Sequence, residues 1–384
     1  MASKRRFAIV SPNFYPRICG IGDHSARLGQ ELRRRGEDVA VFTQHPAIPN
    51  PEMPDIEVHG VDGSLSVTIA EGVRRAVTKW RATDVIFQYT SQIWNSWRFG
   101  SLAQLWLTFL ARTTGMRVTL IAHELFVPWL SRPDLLLATA IQRIQFAAVL
   151  RSCHRTFVTT ESRARYIEPT CQRLGLPTPK VLRVGANAIP AQSSGVFLRG
   201  DSNAPRLGVF STAAVGKRFD VVLDAFATIA NKYPAAELVL IGDLGRSETV
   251  RVRNIEEIAR RHPATSKIRI TGRLPLAEIA KEVAALDVYL FPMDTGANTR
   301  SGTLPVALGS GIPVIAIRGS ETDTLFSSEN LVFADELSGP AFATAALGLL
   351  RDRPRMISVG KGARKLYDNH LSWTRIADQL LDMT

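Results

Sequence analysis

The sequence predicts an α/β chain made of two Rossmann-like, doubly wound parallel-sheet domains. Three observations lead there. Short apolar runs of strand type alternate with longer runs of helical spacing through both halves, the order that builds parallel sheets through βαβ crossovers. The chain has 384 residues, 45% hydrophobic and 21% charged, enough for two domains at roughly 150 residues each. The stretch from Pro190 to Pro205 is small, polar and turn-rich, as expected of a linker. The expected division is therefore residues 1–190 and 200–365.

In the first half, Arg6 to Pro12 reads as a buried opening strand, and Asn13 to Gly22 as a loop closing on Gly20-Ile21-Gly22-Asp23. Asp23 or Ser25 is placed to cap a helix carrying Leu28 and Leu32. Gly36 ends that helix, and Asp38 to Thr43 is the second strand. Glycines after a first strand either let the backbone approach a phosphate or simply make a tight turn. The dinucleotide fingerprint G-x-G-x-x-G is incomplete, because Ser25 stands where the third glycine belongs, so a redox enzyme gains little support. Asp84 to Tyr89 is a strand whose end presents Gln88, Tyr89 and Thr90 on a loop. Arg117 to Ala122 is another, delivering His123 and Glu124 at its carboxyl end, where ligands bind in open α/β sheets. A histidine there suits proton transfer or hydroxyl binding near neutral pH; a structural histidine is the competing reading. Leu135 to Leu150 is a long helix, Arg155 to Thr160 a short strand, and Val181 to Pro190 finishes the half.

The second half begins afresh. Arg206 to Ser211 is a strand, Ser211 to Lys217 a loop, and Asp220 to Ala230 a helix; Ala236 to Asp243 is the next strand, followed by a helix at about 248–261. Ile268 to Arg273, Glu278 to Leu286 and Asp287 to Phe291 are then strand, helix and strand. Gly216-Lys217 is not a P-loop, since Ser211 and Arg218 occupy positions that need Gly and Ser or Thr. Lys217 and Arg218 can still hold a phosphate, or be ordinary solvated charges. The densest stretch is Phe291 to Ala316: a loop from Asp294 to Ser301, a helix over Gly302 to Leu308, and a strand at Val314-Ile315-Ala316. Unpaired backbone N–H groups at such a helix start favour an anion, with Arg300, Ser301 and Thr303 adding charge and hydroxyls.

Charge and cysteine content narrow the function classes. The formal net charge is +12, of which residues 1–190 hold +10, and five of the six tryptophans (Trp80, Trp94, Trp97, Trp106 and Trp129) lie there too. A basic, Trp-rich half suits an anionic membrane surface or an acidic acceptor, or is a solvated surface over core tryptophans. No signature of nucleic-acid binding accompanies it. Cys19, Cys153 and Cys171 are few, odd in number and without metal-ligand spacing, so neither a metal site nor a disulfide framework is expected, as in a reducing cytoplasm. No apolar run is long enough for a spanning helix, and the N-terminus lacks a signal peptide's apolar region.

These pieces, in this order, resemble family 4 glycosyltransferases with the two-domain GT-B fold. In the second half they are the Lys217 loop, Val239-Leu-Ile-Gly-Asp, Ile270-Thr-Gly-Arg-Leu, Ala285-Leu-Asp-Val-Tyr-Leu-Phe-Pro and Ala307 to Ile315; Ser372-Trp373 resembles the family's last helix. The first half agrees through Gly20-Ile21-Gly22, His123-Glu124 and Val184-Gly-Ala-Asn. The resemblance implies two domains facing a cleft, with a helix over 366–384 packing back on the first. A nucleotide-diphosphate sugar would be the donor substrate, with no separate cofactor and no metal. Lys217 would pair with its diphosphate, helped by backbone near Gly20 and Gly22 and by Arg300, Ser301, Gly302 and Thr303. Arg273 would lie near the base, and His123 near the reacting sugar. The implied activity is retaining sugar transfer to the hydroxyl of a saccharide or lipid-linked saccharide, in cell-surface polysaccharide or glycolipid assembly. The implied location is cytoplasmic, peripheral on the membrane's inner face. Two departures stand out. Asn298 and Val306 occupy the positions of the family's glutamate pair, and the arginine that usually precedes the loop lysine is absent. Thr299-Arg-Ser-Gly-Thr resembles the Arg-Ser-Gly loop of related transferases, so Arg300 replaces part of that chemistry. A sugar-nucleotide epimerase and a non-catalytic glycan- or partner-binding protein remain the alternatives.

Overall fold

The computed structural model describes residues 4–16, 20–44, 48, 51, 53–61, 66–91, 102–126, 133–191, 203–211, 216–244, 259, 262 and 264–382. Cys19, Trp94, Trp97, Trp129, most of the predicted linker and nearly all of the helix predicted at about 248–261 lie outside these residues. The chain divides into two units, Met1–Arg183 with Ile376–Thr384, and Val184–Arg375.

The first unit is a parallel sheet of seven described strands: β1 (Arg6–Val10), β2 (Asp38–Thr43), β3 (Glu57–Gly60), β4 (Asp84–Tyr89), β5 (Arg117–Ala122), β6 (Arg155–Val158) and β7 (Lys180–Val181), in the order 3-2-1-4-5-6-7. Ile9 pairs with Val41 on one side and Ile86 on the other. Central strands are apolar on both faces because helices cover both, so Phe7 to Val10 and Val39 to Phe42 are almost wholly buried. The helices are α1 (Gly20–Arg34), α2 (Ser66–Lys79), α3 (Leu102–Thr113), α4 (Pro133–Ser152) and α5 (Glu161–Arg173). Gly36, at φ +86°, ends the first of these as expected. The proposed caps are a correction, however: α1 already starts at Gly20, so Asp23 and Ser25 lie inside it, and Ser25 Oγ donates back to the Ile21 carbonyl at 2.7 Å.

The second unit repeats the plan with β8 (Arg206–Phe210), β9 (Glu237–Ile241), β10 (Ile268–Ile270), β11 (Val288–Leu290), β12 (Val314–Ile317) and β13 (Val332–Ala334), ordered 10-9-8-11-12-13 and parallel throughout. Its helices are α6 (Phe219–Lys232), α7 (Leu276–Ala284), α8 (Leu304–Gly309), α9 (Gly339–Arg351) and α10 (Arg353–Leu366); α11 (Trp373–Asp382) closes the chain. The boundary falls at Val184, ahead of Pro190. The reason is local pairing: Val184 N donates to the Thr299 carbonyl and Asn187 N to the Gly302 carbonyl, both at 2.9 Å.

Chain order reverses direction once in each sheet, between β1 and β4 and between β8 and β11. At such a switch point the two loops leaving the carboxyl ends part company and open a crevice, the general ligand position in this architecture. The fold therefore nominates two loop pairs: residues after β1 and β4 in the first unit, and residues after β8 and β11 in the second.

Part of the basic character of the first unit is paired within it. Glu31 meets Arg34 and Arg35, Arg35 also meets Asp378 at 2.7 Å, and Glu71 takes both Arg74 and Arg75. Among the described residues no helix is long and apolar enough to cross a membrane.

Candidate functional site

In the second unit the switch point brings Lys217 and Arg300 to one place. Lys217 ends the loop from β8 and is fixed by backbone on both sides of it. Its main chain bridges Met293, Arg218 N donates to the Pro292 carbonyl, and Asp294 N donates to the Gly216 carbonyl, the last two at 2.9 Å. Gly216 sits at φ +86°, and a Cβ there would lie 2.8 Å from Asp294 Oδ1, so the turn requires glycine. The Lys217 ammonium donates to Ser211 Oγ at the end of β8. Desolvation, with the charge of Arg300 second, pulls its pKa down to about 8. An anion at this position would oppose that shift.

Arg300 stands on the 291–303 loop, which is tied down more heavily than its small, polar sequence suggests. Thr299 donates to the buried carboxylate of Asp323 twice, from N and from Oγ1, each at 2.7 Å. Glu321 N donates to the Thr295 carbonyl at 3.0 Å. The side chain of Asn298 is wholly buried: its Nδ2 donates to the Gly296 carbonyl and its Oδ1 accepts from Arg300 N. Asn298 is thus engaged in shaping the loop. Gly296, at φ +84°, packs so closely that a Cβ would fall 2.3 Å from Thr322 Oγ1. The Arg300 guanidinium lies 3.3 Å from Glu321 Oε2, a carboxylate oxygen with no hydrogen bond of its own. One loose, half-buried pair leaves the guanidinium fork able to turn to a phosphate.

The remaining expected donor residues sort themselves by distance from this pair. Ser301 Oγ and Thr303 Oγ1 are 2.9 Å apart on the same loop. Gly302 is required by packing, since a Cβ would come 1.8 Å from Asn187 Oδ1. Val306 is buried in α8 and presents nothing polar. That helix starts at Leu304, later than predicted, and has only six residues, so the expected helix-dipole contribution is that of a single short turn. Arg273 is exposed on the turn after β10, on the same carboxyl edge but two strand spacings from β8, roughly 10 Å.

In the first unit, His123 follows β5 directly. Its Nε2 lies 2.6 Å from Gln88 Oε1, the contact of a neutral imidazole protonated at Nε2, which leaves Nδ1 as acceptor. Gln88 is not on a loop as expected but is the buried penultimate residue of β4, with its amide nitrogen unpaired. Burial first, then His24 and Arg163, holds the His123 pKa well below the ordinary histidine value. His24, on α1, meets His123 edge-on with ring centroids 4.9 Å apart. Of the two glycines expected near a phosphate, Gly22 is tucked beneath Asn13 and Phe14, where a Cβ would meet Asn13 O at 3.1 Å, whereas Gly20 has open space around it.

Burial brings the His24 pKa to about 4. The sign follows from proton counting: between the unfolded value near 6.5 and the folded value, the unfolded chain binds more protons, so stability is lost as pH falls through that window. The expected loss is at most about 3 kcal/mol, at 1.36 kcal/mol per pKa unit. Urea unfolding of wild type and His24→Gln at neutral pH and at about pH 4.5 isolates it; equal acid sensitivity of the two proteins would show that His24 is not held neutral.

Sequence reasoning missed His24, Asp323 and Glu321. His24 had a readable signal, because it shares the i, i+4, i+8 stripe with Leu28 and Leu32 and so belonged to the buried face. Asp323 and Glu321 follow β12 at the carboxyl edge, but nothing in the sequence says that this loop reaches back to Thr299 and Arg300.

Two Rossmann-like parallel-sheet units, each with a switch point at its carboxyl edge, are the architecture of the GT-B fold. Residues 204–352 match the family model for Glycosyl transferases group 1, which makes that stretch a glycosyltransferase domain. It is 21% identical to a sulfoquinovosyl transferase from Arabidopsis thaliana, over 99% of this chain and 74% of that one. It is 22% identical to the phosphatidyl-myo-inositol mannosyltransferase of Mycobacterium tuberculosis, over 98% and 95%. Among solved structures, the Anabaena protein HepE in complex with UDP and glucose superposes with a TM-score of 0.73 at 16% identity, covering 99% of each chain.

Proposed function

We propose that the protein transfers a sugar from a nucleotide-diphosphate donor to an acceptor hydroxyl, with retention and without a metal. The observation that carries this reading is the Lys217–Arg300 pair: two cations at a switch point, one desolvated and one loosely paired, within the family-matched stretch. Breaking the sugar–phosphate bond leaves negative charge on the diphosphate, and fixed cations stabilise it as it develops. Lys217 and Arg300 take the diphosphate, Ser301 and Thr303 supply hydroxyls beside it, and Arg273 reaches the base. In the first unit, His123 is neutral and offers Nδ1 to a sugar hydroxyl. This unit takes the acceptor, which is a lipid-linked saccharide or glycolipid at the cytoplasmic face of a membrane. HepE, with UDP and glucose, supports the donor class. The relative named for phosphatidyl-myo-inositol supports a lipid acceptor.

The test is a thermal-shift panel of UDP, GDP, ADP and CMP with their sugar conjugates, followed by donor-consumption assays with and without lipid acceptors and with a chelator. A shift from one nucleoside diphosphate, chelator-resistant turnover that needs acceptor, and a product of unchanged anomeric configuration are expected. Turnover of donor alone into an epimer would replace transfer by epimerisation. A folded protein that no nucleotide stabilises would remove the donor site.

A further inference from the structure

Two neighbouring helices of the first unit, α3 and α4, turn an apolar face to solvent. On α3, Leu102, Trp106 and Phe109 are 63%, 47% and 49% exposed. Their i, i+4, i+7 spacing sets them in one stripe, opposite the buried Ala103, Leu107 and Ala111. The rings of Trp106 and Phe109 stack with centroids 6.4 Å apart. On α4, Leu136, Leu137 and Ile144 are exposed as well, Ile144 by 71%. Six of the nine exposed large hydrophobic residues among the described ones lie on these two helices, so this is a patch and not the usual scatter.

The charge on the two helices is mainly positive. The two helices carry Arg112, Arg143 and Arg151 against Asp134 alone. Arg112 and Arg151 come together at the carboxyl ends of the helices, where the Arg112 guanidinium donates to the Arg151 carbonyl. Unlike Arg34, Arg35, Arg74 and Arg75, neither is ion-paired among the described residues.

We propose that the α3–α4 face docks on an anionic lipid surface. Trp106, Phe109, Leu102 and Ile144 enter the interfacial region, where an indole with one apolar and one polar side is favoured, and the arginines at the helix ends draw in the headgroups. The proposal deepens the lipid-acceptor reading and rests on it. Its test is separate, because donor binding is read in solution without lipid.

The full-length protein is sedimented with vesicles of phosphatidylglycerol mixed with phosphatidylcholine, and of phosphatidylcholine alone, at low and physiological ionic strength. Wild type is expected to bind the anionic vesicles and to leave them as salt rises. Trp106→Glu/Ile144→Glu is expected to weaken binding at least about tenfold, and Arg112→Gln/Arg151→Gln to flatten the salt dependence. Both variants should keep the wild-type thermal shift with donor nucleotide, which shows that they are folded. Failure of wild type to bind anionic vesicles overturns the proposal, and so does undiminished binding by the Glu variant. A wild-type dimer that the Glu variant dissolves would assign the face to a second copy and overturn it too.

Discussion

Lys217→Met is expected to abolish stabilisation by the donor nucleotide while leaving the unliganded protein at least as stable as wild type. A ligand at about 100 times its dissociation constant adds roughly 2.7 kcal/mol to the stability of the state that binds it, and that increment should vanish in the variant. The free protein should not suffer, because methionine occupies much the same volume without a desolvated ammonium, and removing such a charge is often neutral or stabilising. The pH dependence gives a second handle. With the pKa lowered to about 8, the ammonium is charged at neutral pH and lost above it. If only the charged form holds the diphosphate, affinity at about pH 9 falls roughly tenfold below its neutral value. The stability of the free protein moves the other way between about 8 and the ordinary lysine value of 10.5, because there the unfolded chain carries more protons and folding gains as pH rises. Lys217→Met should remove both trends. Calorimetric titration with nucleotide across this range, beside urea unfolding without it, reads the two separately. A pH-independent affinity, or a variant that still binds, would take Lys217 out of the donor site.

The sheets were legible because buried parallel strands are continuous apolar runs with few alternatives. Arg6–Val10, Asp84–Tyr89, Arg117–Ala122 and Arg206–Phe210 stand in the structure where the runs lie. Short strands were harder. Glu57–Gly60 is partly exposed at the edge of its sheet, so its polar residues hid it. Lys217 and Arg300 could each be chosen from sequence because each follows a strand. That they belong together depends on strand order, since β8 and β11 are neighbours in space but separated by two strands in sequence. Gln88 was misjudged for a related reason: a polar residue near a strand end looks solvent-facing, yet here it is buried against His123. The long-range latch on the 291–303 loop was wholly invisible, because a carboxylate's partner across 24 residues leaves no periodicity behind.

That latch should be the most sensitive point of the second unit. Asp323→Ala removes the carboxylate that accepts from both Thr299 N and Thr299 Oγ1, two buried donors. Unsatisfied buried groups cost about 1–3 kcal/mol each, so a loss of roughly 2–4 kcal/mol in urea unfolding is expected, with the m value unchanged. Thr299→Val removes only the hydroxyl half, keeps the 2.7 Å bond from Thr299 N, and should cost about 1 kcal/mol. The consequence for binding follows from covalent connection: Arg300 is the next residue, and its own N–H reaches Asn298 Oδ1, so freeing Thr299 frees the guanidinium from its place beside Lys217. Catalytic geometry tolerates little of this, since a misplacement on the order of 1 Å can cost about a hundredfold in rate. Asp323→Ala should therefore lose turnover and donor affinity far beyond its loss of stability, although Asp323 itself is buried beneath the loop. Thr299→Val should lie between it and wild type in both. A variant that is destabilised as expected yet binds donor with wild-type affinity would show that the loop holds Arg300 by other means, and that Asp323 serves stability alone.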